Sequence, residues 1–344
     1  GNAIVGCMPR RPEPIDPRLG VAFSVAEARR MGVSARRLRG RDLEMPFIGA
    51  RMRATGAVDI ASETATPGAD AARRRRQDTA RRAAAYNTVM ADHAFFSHGT
   101  AAALWGLPLP SGALEPDALD VSVAAPHRAP RAAGVRGHQL AAHLVSVRIR
   151  DGMRIASPAA TWAQLGGILS LDDLVAAGDA LLHRPRTEDG HRTGPETALA
   201  TFAQLEASIE AGRRIGASAL RQALPLVREG VASPTETALR LGLWRAGLPD
   251  PILDHDVRDD RGHLVGCTEF AYPTFGLLIE CEGDHHRTDR RQWNRDIEKY
   301  GRYQDLGWTV LRFSAIHLAP SVSPAVTRIR HHLAQRGWAC DPSA

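Results

Sequence analysis

Residues 268–283 read Thr268-Glu269-Phe270-Ala271-Tyr272-Pro273-Thr274-Phe275-Gly276-Leu277-Leu278-Ile279-Glu280-Cys281-Glu282-Gly283. Phe270, Tyr272, Leu277, Leu278 and Ile279 are strand formers, and Pro273 and Gly276 punctuate a turn between them. The stretch is expected to form two short strands. Side chains two apart on a strand share a face, which puts Glu280 and Glu282 on one side. Pairing of the strands as a hairpin brings Glu269 alongside. Three carboxylates this close repel one another unless positive charge lies between them. A hard, oxygen-seeking divalent cation such as Mg2+ answers that need.

Working outward, Ser233-Pro234-Thr235-Glu236 opens a helix that runs to about Ala246 and closes at Gly247. Serine at the N-cap, proline at N1 and glutamate at N3 form a complete start signal, and Glu236 is the capping-box carboxylate. Strands are expected near 253–259, 265–272 and 277–282. Thr288 caps a helix to Leu306, with Asp289 at its positive end, and Gly307 stops it. Residues 308–313 form the next strand, and strand–helix–strand implies a right-handed parallel crossover. A last helix runs from about Ser323 to Arg336. Lys299 is the only lysine among 44 Lys and Arg residues. It lies on the crossover helix with Arg295 one turn earlier on the same face. A compact point charge is one physical reason to keep a lysine in a chain otherwise built on arginine.

Helix, acid-bearing antiparallel strands, helix and strand together resemble the core of the PD-(D/E)-X-K nuclease superfamily. Local phrases are closer to domains similar to very-short-patch-repair endonucleases. These are Pro234-Thr235-Glu236, Gly247-Leu248-Pro249, the acid before Phe270-Ala271-Tyr272-Pro273, Ile279-Glu280 followed by Gly283 and His286, the helix with Asp296, and Gly307-Trp308 leading to Val310-Leu311-Arg312. The resemblance spans residues 230–320. It implies a restriction-endonuclease-like αβββαβ core and phosphodiester hydrolysis with Mg2+, or Mn2+ in its place. It also implies Glu269 and Glu280 as metal ligands, with the Cys281 carbonyl as a third. His286, or else His285, would handle the attacking water or contact phosphate. Glu236 would hold the site through a water or a second metal. Glu282 stands where the motif has lysine, and Lys299 would carry the charge role from the following helix. Arg287 and Arg295 would touch nucleic acid. This sequence departs from the pattern at Glu269, where the usual first acid is aspartate.

Towards the N-terminus, residues 1–20 are expected to be a flexible lead. Ser24 caps a helix to Met31, Gly32 breaks it, and Ser34 caps a second helix over 35–41. This is a helix-turn-helix outline whose second helix carries Arg36, Arg37, Arg39 and Arg41 for phosphate contact. Residues 47–52 follow as a strand or wing, and 54–72 as a loop. Arg73-Arg74-Arg75-Arg76 then opens an Ala-rich helix to about His93, with Arg74 and Arg75 placed to grip phosphates. Ser97-His98, Thr100-Ala101-Ala102 and Leu104-Trp105-Gly106-Leu107-Pro108 resemble the middle region of AbiEi-type antitoxins of type IV toxin–antitoxin systems. Gly32-Val33-Ser34-Ala35-Arg36-Arg37-Leu38, strand 119–123 and the capped strand-to-helix step at 155–162 fit the same pattern. The resemblance covers residues 20–185. It implies a winged-helix-like unit (21–72) and an α+β unit (73–185) used for binding rather than chemistry. His98 is expected to pack or cap rather than to ligate. Residues 184–197 look like a linker, followed by helices with basic faces to Glu229, and then the last domain (230–344).

The chain has 344 residues, enough for two or three domains, and is 44% hydrophobic and 24% charged. Its net charge of +6 and pI of about 9.7 suit a nucleic-acid partner. No apolar run approaches the roughly 20 residues of a membrane span. Arg10 and Arg11 are followed by no apolar block, so a secretory signal is not expected. Cys7, Cys267, Cys281 and Cys340 show no C-x-x-C spacing, which fits reduced thiols and a cytoplasmic location. The fold class expected is α/β (α+β overall). The function expected is a Mg2+-dependent endonuclease on double-stranded DNA, serving repair, phage defence or toxin–antitoxin control. The alternative is a non-catalytic DNA-binding regulator or antitoxin on a degenerate nuclease fold. RNA as substrate and a homodimer as assembly stay open.

Overall fold

Among the described residues, three sheets are each joined to helices. The computed structural model describes residues 13–54, 67–114, 117–187, 189–282 and 290–339. Its mixture of helices with mixed and antiparallel sheets is an α/β fold at the coarse level expected.

The first unit holds β1 (Ala22–Ser24), α1 (Val25–Arg30), β2 (Leu43–Glu44) and β3 (Ala50–Arg53), with the antiparallel strands ordered β1-β3-β2. Ser24 caps α1 by accepting the Glu27 N–H at 3.0 Å. Residues 13–20 differ from the flexible lead expected of them. Asp16 caps a tight turn at Pro17–Leu19, and Ile15 and Leu19 are buried with Phe23, Ala28, Leu38 and Leu43. The second helix expected over 35–41 is only one 3-10 turn, Arg37–Arg39. Ser34 does cap it, accepting the Arg37 N–H at 3.2 Å. The Arg37 side chain then folds back onto the Asp42 carboxylate and the Glu13 carbonyl, closing the chain before a second turn can form.

The middle unit starts with α2 (Pro67–Asn87), which takes in residues 67–72 of the expected loop. Next come β4 (Ala94–Phe96), α3 (His98–Trp105), β5 (Leu119–Ala124), β6 (Val135–Leu140), β7 (Val147–Arg150) and β8 (Met153–Ala156). The sheet order is β6-β5-β4-β8-β7, with β5/β6 and β4/β8 parallel. Helices α4 (Pro158–Leu165), α5 (Leu171–Leu182), α6 (Phe202–Glu210) and α7 (Ala217–Ala223) pack beside it around Trp162, Leu165, Leu174 and Leu181. Ser157 caps α4 as expected, accepting the Ala160 N–H.

The expected linker at 184–197 is a strap fixed to the next unit. Arg186 pairs with Asp254 at 2.6 Å and Asp256 at 2.8 Å, and Arg192 reaches Asp254 at 2.8 Å. Composition marks such a stretch as loose, but ion pairs to residues some 70 positions away leave no local signal in it.

The last unit is α8 (Pro234–Arg245), β9 (Ile252–Arg258), β10 (Leu264–Tyr272), β11 (Leu277–Glu282), α9 (Arg290–Asp305), β12 (Thr309–Ser314), α10 (Ala315–Leu318) and α11 (Ser323–Gln335). Its sheet runs β12-β11-β10-β9, antiparallel except for the parallel pair β11/β12. Phe270, Tyr272, Leu277 and Ile279 pack on one face with Leu239, Leu243, Ile329 and Leu333 of α8 and α11. Ala271 and Leu278 pack on the other with Tyr303 of α9. Helix α8 also turns Leu241 into the middle unit's core. Beside it, Asp179 of α5 accepts from Arg240 and from Thr237, each at 2.8 Å, and from the Arg228 N–H at 2.7 Å. No helix among the described residues is long and apolar enough to cross a membrane.

Candidate functional site

The antiparallel ladder pairs Phe270 with Ile279, Ala271 with Leu278 and Tyr272 with Leu277. One step further along this register sets Glu269 opposite Glu280. Leu278 faces α9, so Glu280 and Glu282 emerge on the α9 side, as strand alternation requires. Glu280 is only 6% exposed. Its Oε1 lies 2.9 Å from the Lys299 ammonium. The aliphatic and aromatic surroundings aim that charge: Lys299 Nζ sits 5.2 Å from the Tyr300 ring centre and 5.5 Å from that of Tyr303. Tyr303 donates its hydroxyl to the Cys267 carbonyl at 3.1 Å, tying α9 to β10. The approach is close enough to require Gly266. A Cβ there would come within 2.5 Å of the Tyr303 oxygen and 3.3 Å of Lys299 Cγ.

Glu269 accepts the Cys281 N–H at 3.2 Å. The Cys281 side chain packs into the apolar core on the opposite face, and burial pushes its thiol well up, so its backbone alone borders the acids. Burial pushes the Glu269 carboxyl well above the ordinary carboxylate range, and Glu280 and Glu236 push it further while Lys299 resists. Burial raises Glu280 too, against the pull of Lys299 and a hydrogen bond to Glu269. Two acids this close, both raised by burial, disfavour full ionisation of the pair.

Glu236 is buried at the start of α8. Its carboxylate accepts the Ala232 N–H and the Ser233 hydroxyl, each at 2.8 Å, while its own N–H donates to Ser233 Oγ at 3.2 Å. This corrects the simple capping box, since the side chain reaches past the N-cap backbone to the residue before it. Burial raises this carboxyl as well. Glu282 differs from the other acids: Arg312 neutralises it, and the Arg312 guanidinium stacks 4.4 Å above the Tyr300 ring.

Two crowded carboxylates with raised proton affinity beside a strand backbone form an all-oxygen donor set. That set fits a hard divalent cation, with Glu269 and Glu280 as the groups that would hold it. His286, with its neighbour His285, and Arg287 lie outside the described residues. Arg295 sits on α9, with its side chain outside the described set. At the other end of the chain, Arg36, Arg39 and Arg41 are exposed, as are Arg74 and Arg75 on α2. Arg37 is not available to phosphate, because Asp42 and Glu13 hold it. Arg81 pairs with Glu44 at 3.1 Å. The sequence reading missed Gly266, Tyr300, Tyr303 and Arg312. A signal for Tyr303 existed in its spacing, four residues after Lys299 on one helix face.

No protein-family profile matches the chain. Two relatives, described as uncharacterized proteins of Mycobacterium tuberculosis strains CDC 1551 / Oshkosh and ATCC 25618 / H37Rv, are each 28% identical over 253 residues. The match covers 73% of this chain and 86% of each relative. No solved structure matches.

Proposed function

We propose that this protein is a Mg2+-dependent endonuclease that hydrolyses DNA phosphodiester bonds, brought to its substrate by the arginine-bearing N-terminal units. The observation that carries the reading is half-buried Glu269 beside buried Glu280, with Lys299 2.9 Å from Glu280. It stands on a helix–three strands–helix–strand frame, α8-β9-β10-β11-α9-β12, the element order of a restriction-endonuclease-like core. When bound, Mg2+ would polarise the scissile phosphate and acidify a bound water. The chain's own groups do the rest. Glu269 and Glu280, whose carboxyls are both raised by burial, would have to give up any bound proton for both to hold the cation. Lys299, held between Glu280 and the Tyr300 and Tyr303 rings, would supply a fixed positive charge next to a phosphate bound at the acids, and such pre-aimed charge stabilises a transition state without reorganisation. Burial and then Glu280 keep the proton affinity of Glu269 high, and Glu236 adds to them.

The winged-helix reading of the first unit rests on α1, the Arg37–Arg39 turn and the three-stranded sheet. Exposed Arg39 ends that turn, and exposed Arg36 and Arg41 flank it. Changing all three to glutamine is expected to weaken DNA binding on the order of 10- to 100-fold at physiological salt. The slope of log K against log salt should shrink by about one unit for each phosphate that is no longer neutralised. Fluorescence anisotropy across a salt series measures both, and an unchanged slope would remove this face from the DNA interface.

A second reading is a non-catalytic DNA-binding regulator or antitoxin, favoured by the ion pair that already neutralises Glu280. Divalent-ion stabilisation separates the two. Under the nuclease reading, Mg2+ or Mn2+ raises the melting temperature, by about 2.7 kcal/mol of stabilisation at 100-fold excess over Kd. Under the regulator reading Mg2+ has no effect, and Mg2+ is the ion that decides between them. The direct test is incubation of the purified chain with supercoiled, linear and single-stranded DNA, and with RNA, in Mg2+ and in Mn2+. Cleavage of DNA is expected, and intact substrates throughout would overturn the proposal.

A further inference from the structure

We propose that the middle unit contains a second metal site, for a borderline divalent transition ion such as Zn2+, formed by His98, Asp120 and His138. One ligand atom from each of the three, a ring nitrogen or a carboxylate oxygen, lies within 4.8 Å of the other two. The fold brings them together from three places. Parallel pairing of β5 with β6 sets Asp120 beside Arg136 and Ser122 beside His138. His138, two residues beyond Arg136, therefore shares its face and reaches Asp120, with Nε2 2.8 Å from Oδ1. His98 arrives from the start of α3, where the Ser97 N–H bonds the Asp120 carbonyl at 3.1 Å. The His98 and His138 rings stack 4.0 Å apart.

The local backbone is built to hold His98 there. Its φ is +45°, a left-handed conformation that a side chain adopts only where its surroundings enforce it. Gln164 accepts the His98 N–H at 2.8 Å, and the Ser97 hydroxyl lies 3.0 Å from His98 Nδ1. Ser122 in turn donates to Ser97 at 2.7 Å. With Nδ1–H donating to the Ser97 oxygen, which then accepts from both Ser122 and His98, Nε2 is the unprotonated nitrogen left to ligate. To hold an ion, the 2.8 Å His138–Asp120 hydrogen bond would have to open and the imidazole proton sit on Nδ1, so that Nε2 and a carboxylate oxygen could both ligate. Arg136 stays on the carboxylate, its Nε 2.6 Å from Oδ1, as the outer support that keeps Asp120 oriented.

Beyond the cluster is a cavity of about 590 Å3, bordered by His98, His138, Gln164, Ser170 and Asp173. It leaves room for water or a small ligand at the remaining coordination positions, as in open rather than purely structural metal sites. Gln164 Nε2 is buried with no hydrogen-bond partner among the described residues, a donor available to such a ligand. Two imidazoles and one carboxylate favour zinc-like ions over Mg2+, so this site is chemically distinct from the Glu269–Glu280 pair. It does not depend on the nuclease reading.

The test uses the tag-free, full-length chain, stripped of metal and carrying Glu280→Gln to silence the acid pair. Calorimetric titration with Zn2+ is expected to show one ion per chain with a micromolar or tighter Kd. His138→Ala and His98→Gln should each weaken binding by about 100-fold or more, whereas His331→Ala, on the exposed face of α11, should change nothing. X-ray absorption of the Zn2+-loaded Glu280→Gln chain should show two imidazole nitrogens and carboxylate oxygen, a readout that does not depend on either histidine variant folding. The proposal falls if Zn2+ does not bind below about 1 mM, if both histidine variants bind as tightly as their parent, or if the absorption data show sulfur or oxygen ligands without imidazole.

Discussion

Glu280→Gln is expected to lower DNA cleavage by at least about 1,000-fold while leaving DNA affinity within about twofold of the parent. The substitution keeps the shape of the side chain and removes its charge. Glu280 is the acid that borders both other members of the site, standing opposite Glu269 across the ladder and pairing with Lys299 at 2.9 Å. Its loss removes one of the two carboxylates that would hold Mg2+ and frees Lys299 from its anchor. A factor of 1,000 is about 4 kcal/mol of transition-state stabilisation, the scale of losing one preorganised electrostatic partner. Single-turnover cleavage with saturating Mg2+, beside anisotropy measurements of binding, separates the two effects. Retention of more than a tenth of parental cleavage would sink the nuclease assignment of this pair. Parallel loss of cleavage and binding would instead identify Glu280 as a folding residue.

Asp179→Ala should be the most damaging single change to stability, costing roughly 3–5 kcal/mol. Asp179 is 1% exposed, and burial pushes its carboxyl up against the pull of Arg240, Thr237 and the Arg228 N–H. Arg240 is itself buried on α8. Truncation strands that guanidinium in the interior with no counter-charge, and the desolvation cost is then unopposed. A drop in melting temperature on the order of 10 °C is expected by calorimetry or circular dichroism. Pairing the change with its partner, as Asp179→Leu with Arg240→Met, should recover most of the loss, because an apolar pair of similar volume does not leave a charge buried alone. A melting temperature for Asp179→Ala within about 2 °C of the parent would show that water reaches Arg240 and that the pair contributes little.

Much of the last unit was legible because its signals are local. The strand expected at 277–282 is the strand found, since six strand-forming or alternating residues stand between Gly276 and Gly283. Caps at Ser24, Ser157 and Ser233 fixed helix starts for the same reason. The failures share a physical cause. Strand β6, VRGHQL, is mostly half-buried with no apolar alternation, and β7, VRIR, alternates over only four residues and lies exposed. The helix expected after Ser34 is overridden by the Arg37–Asp42 contact. The strap at 184–197 is ordered by Asp254 and Asp256, far along the chain. His98 is the instructive case. Alone it fits a packing residue, and only the pairing of β5 with β6, which no local pattern announces, gives it Asp120 and His138 as neighbours.

The solitary lysine also makes the protein chemically addressable at one point. Amine-directed reagents have one side-chain target, and it stands against Glu280 with 23% of its side chain exposed. Reductive methylation with isotope-enriched formaldehyde would therefore place one side-chain NMR reporter inside the acid cluster, its chemical shift following each ion or phosphate that enters.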